Sequence, residues 1–259
     1  MYALLTTPEV ETLDGNDPAL GEAVDLLGAS VPQACAGLVA YHAAGYRSYL
    51  AAAVTPPIAS RSLILRAIRG PRGLRAIADW RILPGQLFLN GVAVREDERG
   101  QGLGTRLLSD GRKLAERLLC RRLALDVSLD NPAAHRLYLS HGFTELSRSR
   151  WRDVYPSEHS PAALRLINWP FYVAHRNLYG FGDLAVRAGI RDMNLRIVGT
   201  ATRVPAVADA DALAAAVTRL LPVKDYYLTE SAEDRNAADG RPIRAEFLRM
   251  SSELPESTR

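Results

Sequence analysis

Lysine is almost absent from this chain of 259 residues: only two of its 32 basic residues are lysines, Lys113 and Lys224. We attribute the resulting arginine excess to genomic codon bias, and the formal net charge of +3 is too small to indicate nucleic-acid binding. No run of about 18 apolar residues exists, so no membrane span is predicted. The first ten residues contain neither the basic region nor the apolar region of a secretory signal.

Cysteine is equally scarce, because Cys35 and Cys120 are the only two and lie far apart. Without a CxxC pair or a neighbouring histidine pair, the sequence excludes a disulfide scaffold and predicts no metal site. A cytoplasmic location is therefore expected. The apolar share of 47% and the charged share of 24% are typical of an ordered globular chain, with room for one large or two modest domains.

Arginine is concentrated between Arg61 and Arg81, where six arginines accompany a single acid, Asp79. Such a stretch is most often the solvated face of a hairpin. An edge that receives an acidic substrate or coenzyme phosphates is the alternative.

Periodicity and turn residues predict a mixed α+β order. We expect a short strand at 2–5, helices at 18–27 and 32–53, and antiparallel strands at 62–68, 74–82 and 87–94. A helix beginning near Leu103, a strand at 123–127, a short helix that starts at Asn131-Pro132 and a strand from Phe143 complete this part. Farther on, 184–188 and 195–201 are predicted to pair around 191–194, with a helix at 208–221 and strands at 226–229 and 243–250.

The loop between the third antiparallel strand and the following helix is rich in glycine. Glycines let the backbone turn tightly and approach a ligand, and the free N–H groups of a helix's first turn favour a pyrophosphate. Arg99 and Arg95 add positive charge. The dinucleotide-binding spacing G-x-G-x-x-G and the Gly-Lys-Ser/Thr of a P-loop are both missing.

Three motifs in this order resemble the GCN5-related N-acetyltransferase (GNAT) family: Val92-Ala93-Val94, then Arg99-x-x-Gly102-x-Gly104, then the segment 131–143. The resemblance covers about residues 60–150 and implies a GNAT fold, an α+β sandwich with a mixed, mostly antiparallel central sheet. The segment 131–143 looks most like acetyltransferases that modify peptide N-termini, such as the ribosomal-protein alanine acetyltransferases.

The resemblance implies acetyl-CoA as co-substrate and assigns residues to it. The backbone of Val92, Ala93 and Val94 would lie beside the pantetheine arm, and an N–H near Val94 would face the thioester oxygen. Asn131 would contact the coenzyme beyond the strands that part in this family. The pyrophosphate would be held, mostly by main-chain amides, at Arg99, Gly100, Gln101, Gly102, Leu103, Gly104 and Thr105.

Two side chains are candidates for the proton transfers. Tyr138 matches the family tyrosine that donates to the coenzyme sulfur; a packed core aromatic is the alternative. Asp126 interrupts an apolar strand, five residues before Asn131, where the peptide-modifying enzymes carry a glutamate base, and it would accept the amine's proton directly or through water. A solvent-facing aspartate is the other interpretation, and His135 and His141 are candidate bases by residue type only.

The sequence thus predicts a GNAT domain at 1–154 that acylates a primary amine by direct attack, with acetyl as the acyl group. The acceptor would be a peptide or protein N-terminus or the amine of a small molecule such as an antibiotic; a non-catalytic acyl-CoA sensor or scaffold is the alternative. Residues 155–259 form an α+β extension for dimerisation, for the acceptor side, or as a degenerate second GNAT half. We expect no nucleic-acid or membrane partner and leave a homodimer open.

Overall fold

Twelve strands run through a single mixed sheet in the computed structural model, which describes residues 9–158, 164–233 and 240–255. The strands are β1 Val10–Thr12, β2 Leu63–Gly70, β3 Gly73–Leu83, β4 Gln86–Val94, β5 Arg122–Ser128, β6 Thr144–Val154, β7 Leu164–Leu166, β8 Phe181–Ala188, β9 Arg191–Val198, β10 Ala201–Val204, β11 Asp225–Ser231 and β12 Ile243–Glu253. Their order across the sheet is β1-β2-β3-β4-β5-β12-β6-β11-β10-β9-β8-β7.

Helices cover both faces of the sheet: α1 Leu20–Ala29, α2 Tyr46–Ala53, α3 Leu103–Arg117, α4 Pro132–Ser140, α5 Trp169–Tyr179 and α6 Ala210–Leu220. Strand β3 is buried on both sides because Trp80 packs with Leu107 of α3 on one face and Ile77 packs with Leu50 of α2 on the other. The predicted fold class, α+β with a mostly antiparallel sheet, is confirmed. Among the described strands only β4–β5 and β10–β11 pair in parallel.

The predicted helix at 32–53 is wrong for residues 32–45. Only α2 is helical there, preceded by two single 3₁₀ turns at 33–35 and 40–42. Apolar spacing alone suggested a helix, but Gly37 takes the left-handed conformation, with φ +77°, and interrupts it. Because the chain is not helical here, Tyr41 reaches the sheet, and its hydroxyl donates a hydrogen bond to Asp79. The predicted strand at 2–5 lies outside the described residues.

The second half of the chain repeats the order of the first. The unit β2-β3-β4-α3-β5 consists of three antiparallel strands, a helix and a parallel strand, and β8-β9-β10-α6-β11 has the same composition and pairing. The predicted hairpin is present, but its turn lies at Gly189-Ile190, so residues 191–194 belong to strand β9 and Leu184 lies opposite Leu195. Helix α5 and strands β7 and β10 were not predicted.

Strand β12, near the end of the chain, lies in the middle of the sheet. It pairs with β5 on one side, where Met250 is opposite Leu125, and with β6 on the other. Strand β6 in turn pairs with β11, so each half contributes a strand to the centre of the other. The division of the chain at residue 154 stays a prediction. No helix of the described ranges is long and apolar enough to cross a membrane, and the cytoplasmic location also stays a prediction.

Candidate active site

Strands β4 and β5 part in the middle of the sheet. They pair only from Gln86 opposite Arg122 to Leu89 opposite Leu125. At that point β4 bulges, because Trp80 of β3 lies opposite Leu89 whereas the preceding Asp79 lies opposite Gly91, leaving Asn90 as the extra residue. Beyond the bulge, the segment Val92–Val94 is paired with β3 along one edge and has no strand along the other. Sequence patterns gave no indication of this gap.

The glycine-rich loop is folded as a cradle of main-chain amides. Gly100 and Gly102 both have φ +76°, a conformation that side-chain-bearing residues rarely adopt, and Gly102 is the N-cap of α3. The first backbone hydrogen bond of α3 runs from the Arg106 N–H to the Gly102 carbonyl, so the amides of residues 103–105 have no acceptor within the helix. An added Cβ at Gly102 would meet no atom within 4 Å, which shows that the concave side is open. These features fit a pyrophosphate.

Side chains around the cradle leave one arginine uncompensated. Arg95 is held by Asp97 and Glu98, contrary to its predicted contribution of free positive charge. Arg99 has no carboxylate partner in the described part of the chain; its Nε donates to the Val94 carbonyl at 3.4 Å. Gln101 is held in place because its amide oxygen accepts a hydrogen bond from Arg75 at 2.8 Å. The positive charge at the cradle therefore comes from Arg99.

The six arginines of the stretch 61–81 already have ion-pair or hydrogen-bond partners. Five of its arginines pair with carboxylates, and Arg61 donates to the backbone carbonyls of Leu13 and Pro56. The five ion pairs are Arg66–Asp110, Arg69–Asp17, Arg72–Asp97, Arg75–Glu98 and Arg81–Asp79. Because these cations are paired, the stretch offers no array of free arginines to an anionic ligand; with Arg66, Arg75 and Arg81 no more than 19% exposed, it is not a fully solvated hairpin face either.

A cavity of about 220 Å³ lies where β4 and β5 part. It brings together four of the predicted site residues, Val92, Asp126, Asn131 and Tyr138, together with Cys35, which sequence analysis had set aside. The Tyr138 side chain is 5% exposed, and burial raises the pKa of its phenol to about 12. Its hydroxyl has no hydrogen-bond partner among the described residues. The other coenzyme candidates lie at the cradle, outside the lining of this cavity.

Asp126 and Asn131 reach the cavity with part of their polar groups already in use. Asp126 forms a bidentate ion pair with Arg249 of β12, with Nη2 to Oδ2 at 2.8 Å, and remains 36% exposed. Asn131 caps α4, because its Oδ1 accepts the Ala134 N–H at 3.0 Å; this leaves the amide nitrogen free for a ligand. His135 lies 3.0 Å from Glu145, and neither it nor His141 lines the cavity.

A second cavity, of about 450 Å³, adjoins the first. Both are lined by Val39, Tyr41, Asn90, Asp126 and Trp151, and we refer to the two adjoining cavities together as the passage. The walls of the larger cavity come from both halves of the chain. The first half contributes Tyr41, Tyr46, Tyr49 and Arg81, and the second half contributes Phe181, Arg196, Val198, Arg203 and Tyr227. The residues of the second half were not found from the sequence.

A buried carboxylate shapes the wall between the two cavities. Asp79 is fully buried, and its Oδ2 accepts hydrogen bonds from the hydroxyl of Tyr41 at 2.9 Å, from Arg81 at 2.7 Å and from the amide of Asn90 at 2.9 Å. The cluster fixes the bulged residue Asn90 and turns Arg81 toward the cavity, where it also donates to the Tyr46 hydroxyl. The signal in the sequence was an aspartate inside the apolar run 74–82, which is costly unless it is partnered.

Comparison with known proteins agrees with this geometry. Residues 73–143, which span β3, β4, the cradle, α3, β5 and α4, match the family model of the acetyltransferase (GNAT) family. This part of the chain, rather than the chain as a whole, is similar to GNAT acetyltransferases. No curated protein matches the sequence.

Solved structures extend the likeness in fold beyond the matched residues. A tandem GNAT protein from the clavulanic acid biosynthesis pathway is similar over 95% of this chain and 98% of its own, with 14% identity and a TM-score of 0.70. A GCN5-related N-acetyltransferase from Sphaerobacter thermophilus is similar over 95% of both chains, with 14% identity and a TM-score of 0.60. At such identities the likeness concerns the fold. The resemblance to peptide-modifying enzymes in particular stays a prediction.

Proposed function

We propose that this chain transfers an acetyl group from acetyl-CoA to a primary amine by direct attack, with no acyl-enzyme intermediate. The observation that carries the proposal is the parting of β4 and β5 beyond Leu89 and Leu125, directly beside the amide cradle. The gap opens into a passage with Tyr138 in the smaller cavity and Asp126 at the junction of both. One co-substrate can therefore approach from the cradle and the other from the larger cavity.

The cradle and the open edge of β4 are suited to hold the coenzyme. The amides of residues 103–105 and the Arg99 guanidinium would bind the pyrophosphate, since both are donors without a competing carboxylate. The unpaired edge of Val92–Val94 would bind the pantetheine amides as an added strand does, and the free amide of Asn131 would contact the same arm. When bound, the co-substrate supplies an activated thioester.

Two protons have to move, and the passage offers one group for each. The amine must lose a proton before it attacks, and Asp126 is the carboxylate at the junction of the cavities, able to accept that proton directly or through a water. The departing thiolate must gain a proton, and the Tyr138 phenol keeps its proton at neutral pH because burial raises its pKa to about 12. Its hydroxyl is also not engaged by another described group.

Cysteine chemistry is not favoured. Cys35 lines the smaller cavity, but burial raises the pKa of its thiol to about 11, so the nucleophilic thiolate is scarce at neutral pH. Cys120 is not among the residues that line either cavity. Attack by the acceptor amine on the thioester therefore needs fewer unfavourable steps than acyl transfer through either thiol.

The second half is proposed as a GNAT-like half that has lost its own coenzyme site and serves as the acceptor-side wall. The segment between β10 and α6, which corresponds to the cradle, reads Pro205-Ala-Val-Ala-Asp209 and contains no glycine. Asp209, the N-cap residue of α6, would repel a pyrophosphate, whereas Asp211 is paired with Arg241.

The test is release of the coenzyme thiol from acetyl-CoA with a panel of primary amines that includes amino acids, N-terminal peptides and aminated natural products. We expect release with at least one class, and we expect Asp126→Asn to shift the acidic limb of the kcat/KM profile. Arg249→Gln is the matched control, because it breaks the same ion pair but keeps the carboxylate. No release across the panel, with acetyl-CoA still stabilising the protein against heat, would instead favour the sensor.

A further inference from the structure

We infer that the acceptor is an amine that also carries an anionic group, a carboxylate or a phosphate, and that Arg203 of the second half binds this group. The inference rests on the proposed function, since it assigns the larger cavity to the acceptor.

The charged residues that line this cavity are Arg81, Asp126, Arg196 and Arg203. Three of them have a partner of opposite charge: Arg81 pairs with Asp79, Asp126 with Arg249, and Arg196 with Asp183. Arg203 has neither an ion pair nor a hydrogen bond within the described ranges. The cavity thus contains one uncompensated positive charge, and it lies on the wall formed by the second half.

Arg203 is solvent-exposed and lies beside a second arginine, so its charge is available to an anionic ligand. Arg203 of β10 lies directly opposite Arg196 of β9 in the antiparallel register. Like charges at such cross-strand positions destabilise a sheet, because their side chains leave the same face only about 5 Å apart. On the other side Arg203 lies opposite Tyr227, whose hydroxyl is already donated to the Leu38 carbonyl at 3.1 Å. An anion beside the two guanidinium groups would relieve the repulsion and form charge-assisted hydrogen bonds.

The rest of the cavity fits a small molecule with an apolar body. Its volume of about 450 Å³ is within the usual range for small-molecule sites. Aromatic rings form much of the wall: Tyr46 and Tyr49 contact Phe181, and Trp151 stacks on Tyr227 with ring centroids 4.9 Å apart. Asp126 supplies the one carboxylate of the lining, at the junction with the smaller cavity. The cavity therefore offers a carboxylate for the ammonium and a cation for the anion of the same molecule, as in a free amino acid.

The experiment compares matched acceptors that differ only in the anionic group: L-phenylalanine with L-phenylalaninamide, and phosphoethanolamine with ethanolamine. Coenzyme release gives kcat/KM for each, and titration calorimetry gives the Kd of each without acetyl-CoA. We expect the anionic member of at least one pair to be preferred, and the pair identifies carboxylate or phosphate. In Arg203→Gln that member loses about 10- to 100-fold in kcat/KM or Kd, as for a lost hydrogen bond to a charged group, and its neutral partner does not change.

Arg191→Gln is the matched control, because Arg191 is an exposed arginine at the start of the neighbouring strand β9 and does not line the cavity. It should leave every ratio unchanged. Turnover of neutral amines or peptide N-termini with no preference for an anionic partner would overturn the inference while the proposed function stands. Binding of an anionic amine that depends on Arg203, without any coenzyme release, would uphold the inference and contradict the proposed function. Equal losses for both members of a pair in Arg203→Gln would also overturn it.

Discussion

Individual side chains at this site contact residues that are far away from them in the sequence. Tyr138 and Asp126 are candidates that the sequence offers, through a motif and through a charge inside an apolar strand. What surrounds them could not be predicted: Arg249, more than a hundred residues after Asp126, neutralises that carboxylate from β12. Arg203 was not predicted, because no local pattern distinguishes it from the other arginines. Its proposed role depends on the lack of a counter-ion among the described residues.

Tyr138→Phe should separate proton donation from coenzyme binding. The substitution keeps the ring that packs against Phe143, with centroids 5.8 Å apart, and removes only the hydroxyl. We expect kcat to fall about 10- to 100-fold, since a general acid contributes at least that much, while the Kd of acetyl-CoA stays within about twofold. Tyr155→Phe, at an exposed position outside both cavities, is the control. An equal loss of coenzyme affinity would contradict the role as proton donor.

At the scale of elements, the segments with strong local signals were predicted well. The three-stranded meander β2-β3-β4, helix α3 and the Asn131-Pro132 start of α4 all lie where turn residues, helical periodicity and capping indicated. Residues 32–45 were mispredicted because the apolar spacing there suggests a helix face, whereas the chain folds Tyr41 onto Asp79. The bulge at Asn90 depends on the same buried carboxylate, and the spacing of apolar residues in β4 does not predict it.

The cradle offers a test of an element through a single glycine. Gly102→Ala places a Cβ at φ +76°, which costs about 1 kcal/mol of folding free energy, and adds a methyl group to the open side of the loop. Gly85→Ala is the matched control, because Gly85 has φ +71° in the β3–β4 turn and is equally uncrowded. Both variants should lose similar stability in urea unfolding, and only Gly102→Ala should weaken acetyl-CoA binding, by about tenfold or more in Kd. Equal Kd values would exclude the cradle as the pyrophosphate site.

On the scale of the whole molecule, the two halves are interlocked by exchanged positions in one sheet. Strand β12 of the second half lies between β5 and β6, and the buried pair of Arg152 on β6 with Glu230 on β11 joins the halves on the other side. The larger cavity exists only because both halves contribute walls to it. The chain is therefore expected to unfold as one unit.

The interlock predicts how the chain can be divided. A chain ending at residue 154 exposes the edges of β5 and β6 and should not show a cooperative melting transition. Joining residue 154 to residue 241 by a short Gly-Ser turn restores β12 beside β6, because Asp153 and Pro242 are already hydrogen-bonded neighbours at 3.1 Å. We expect this shortened chain to melt cooperatively and still bind acetyl-CoA. A cooperative transition in the chain ending at 154 would show that β12 is dispensable.

Buried tyrosines predict a loss of stability at alkaline pH. Burial raises the pKa of Tyr138 and of Tyr227 to about 12, and it also raises the pKa of Tyr41 and Tyr46, against about 10 in an unfolded chain. The unfolded chain therefore releases these protons first, and the free energy of unfolding decreases as pH rises from about 10 to 12, by about 1 kcal/mol per pH unit for each phenol. Urea unfolding at pH 9, 10 and 11 measures this slope, and Tyr227→Phe should reduce it. A slope that is the same in the variant would contradict the assignment.

The sequence by itself determined the local pieces of this protein: the meander, the glycine cradle before α3, the capped start of α4, and from their order the family. These depend on contacts between residues close along the chain, so turn chemistry and periodicity reveal them. Only the tertiary structure decided where β4 and β5 part, that β12 completes the first half, and that Arg203 lines the larger cavity with no counter-ion among the described residues. Each of these depends on residues more than a hundred positions apart or on a buried charge satisfied from another element, and such long-range pairing leaves no periodic trace in the sequence.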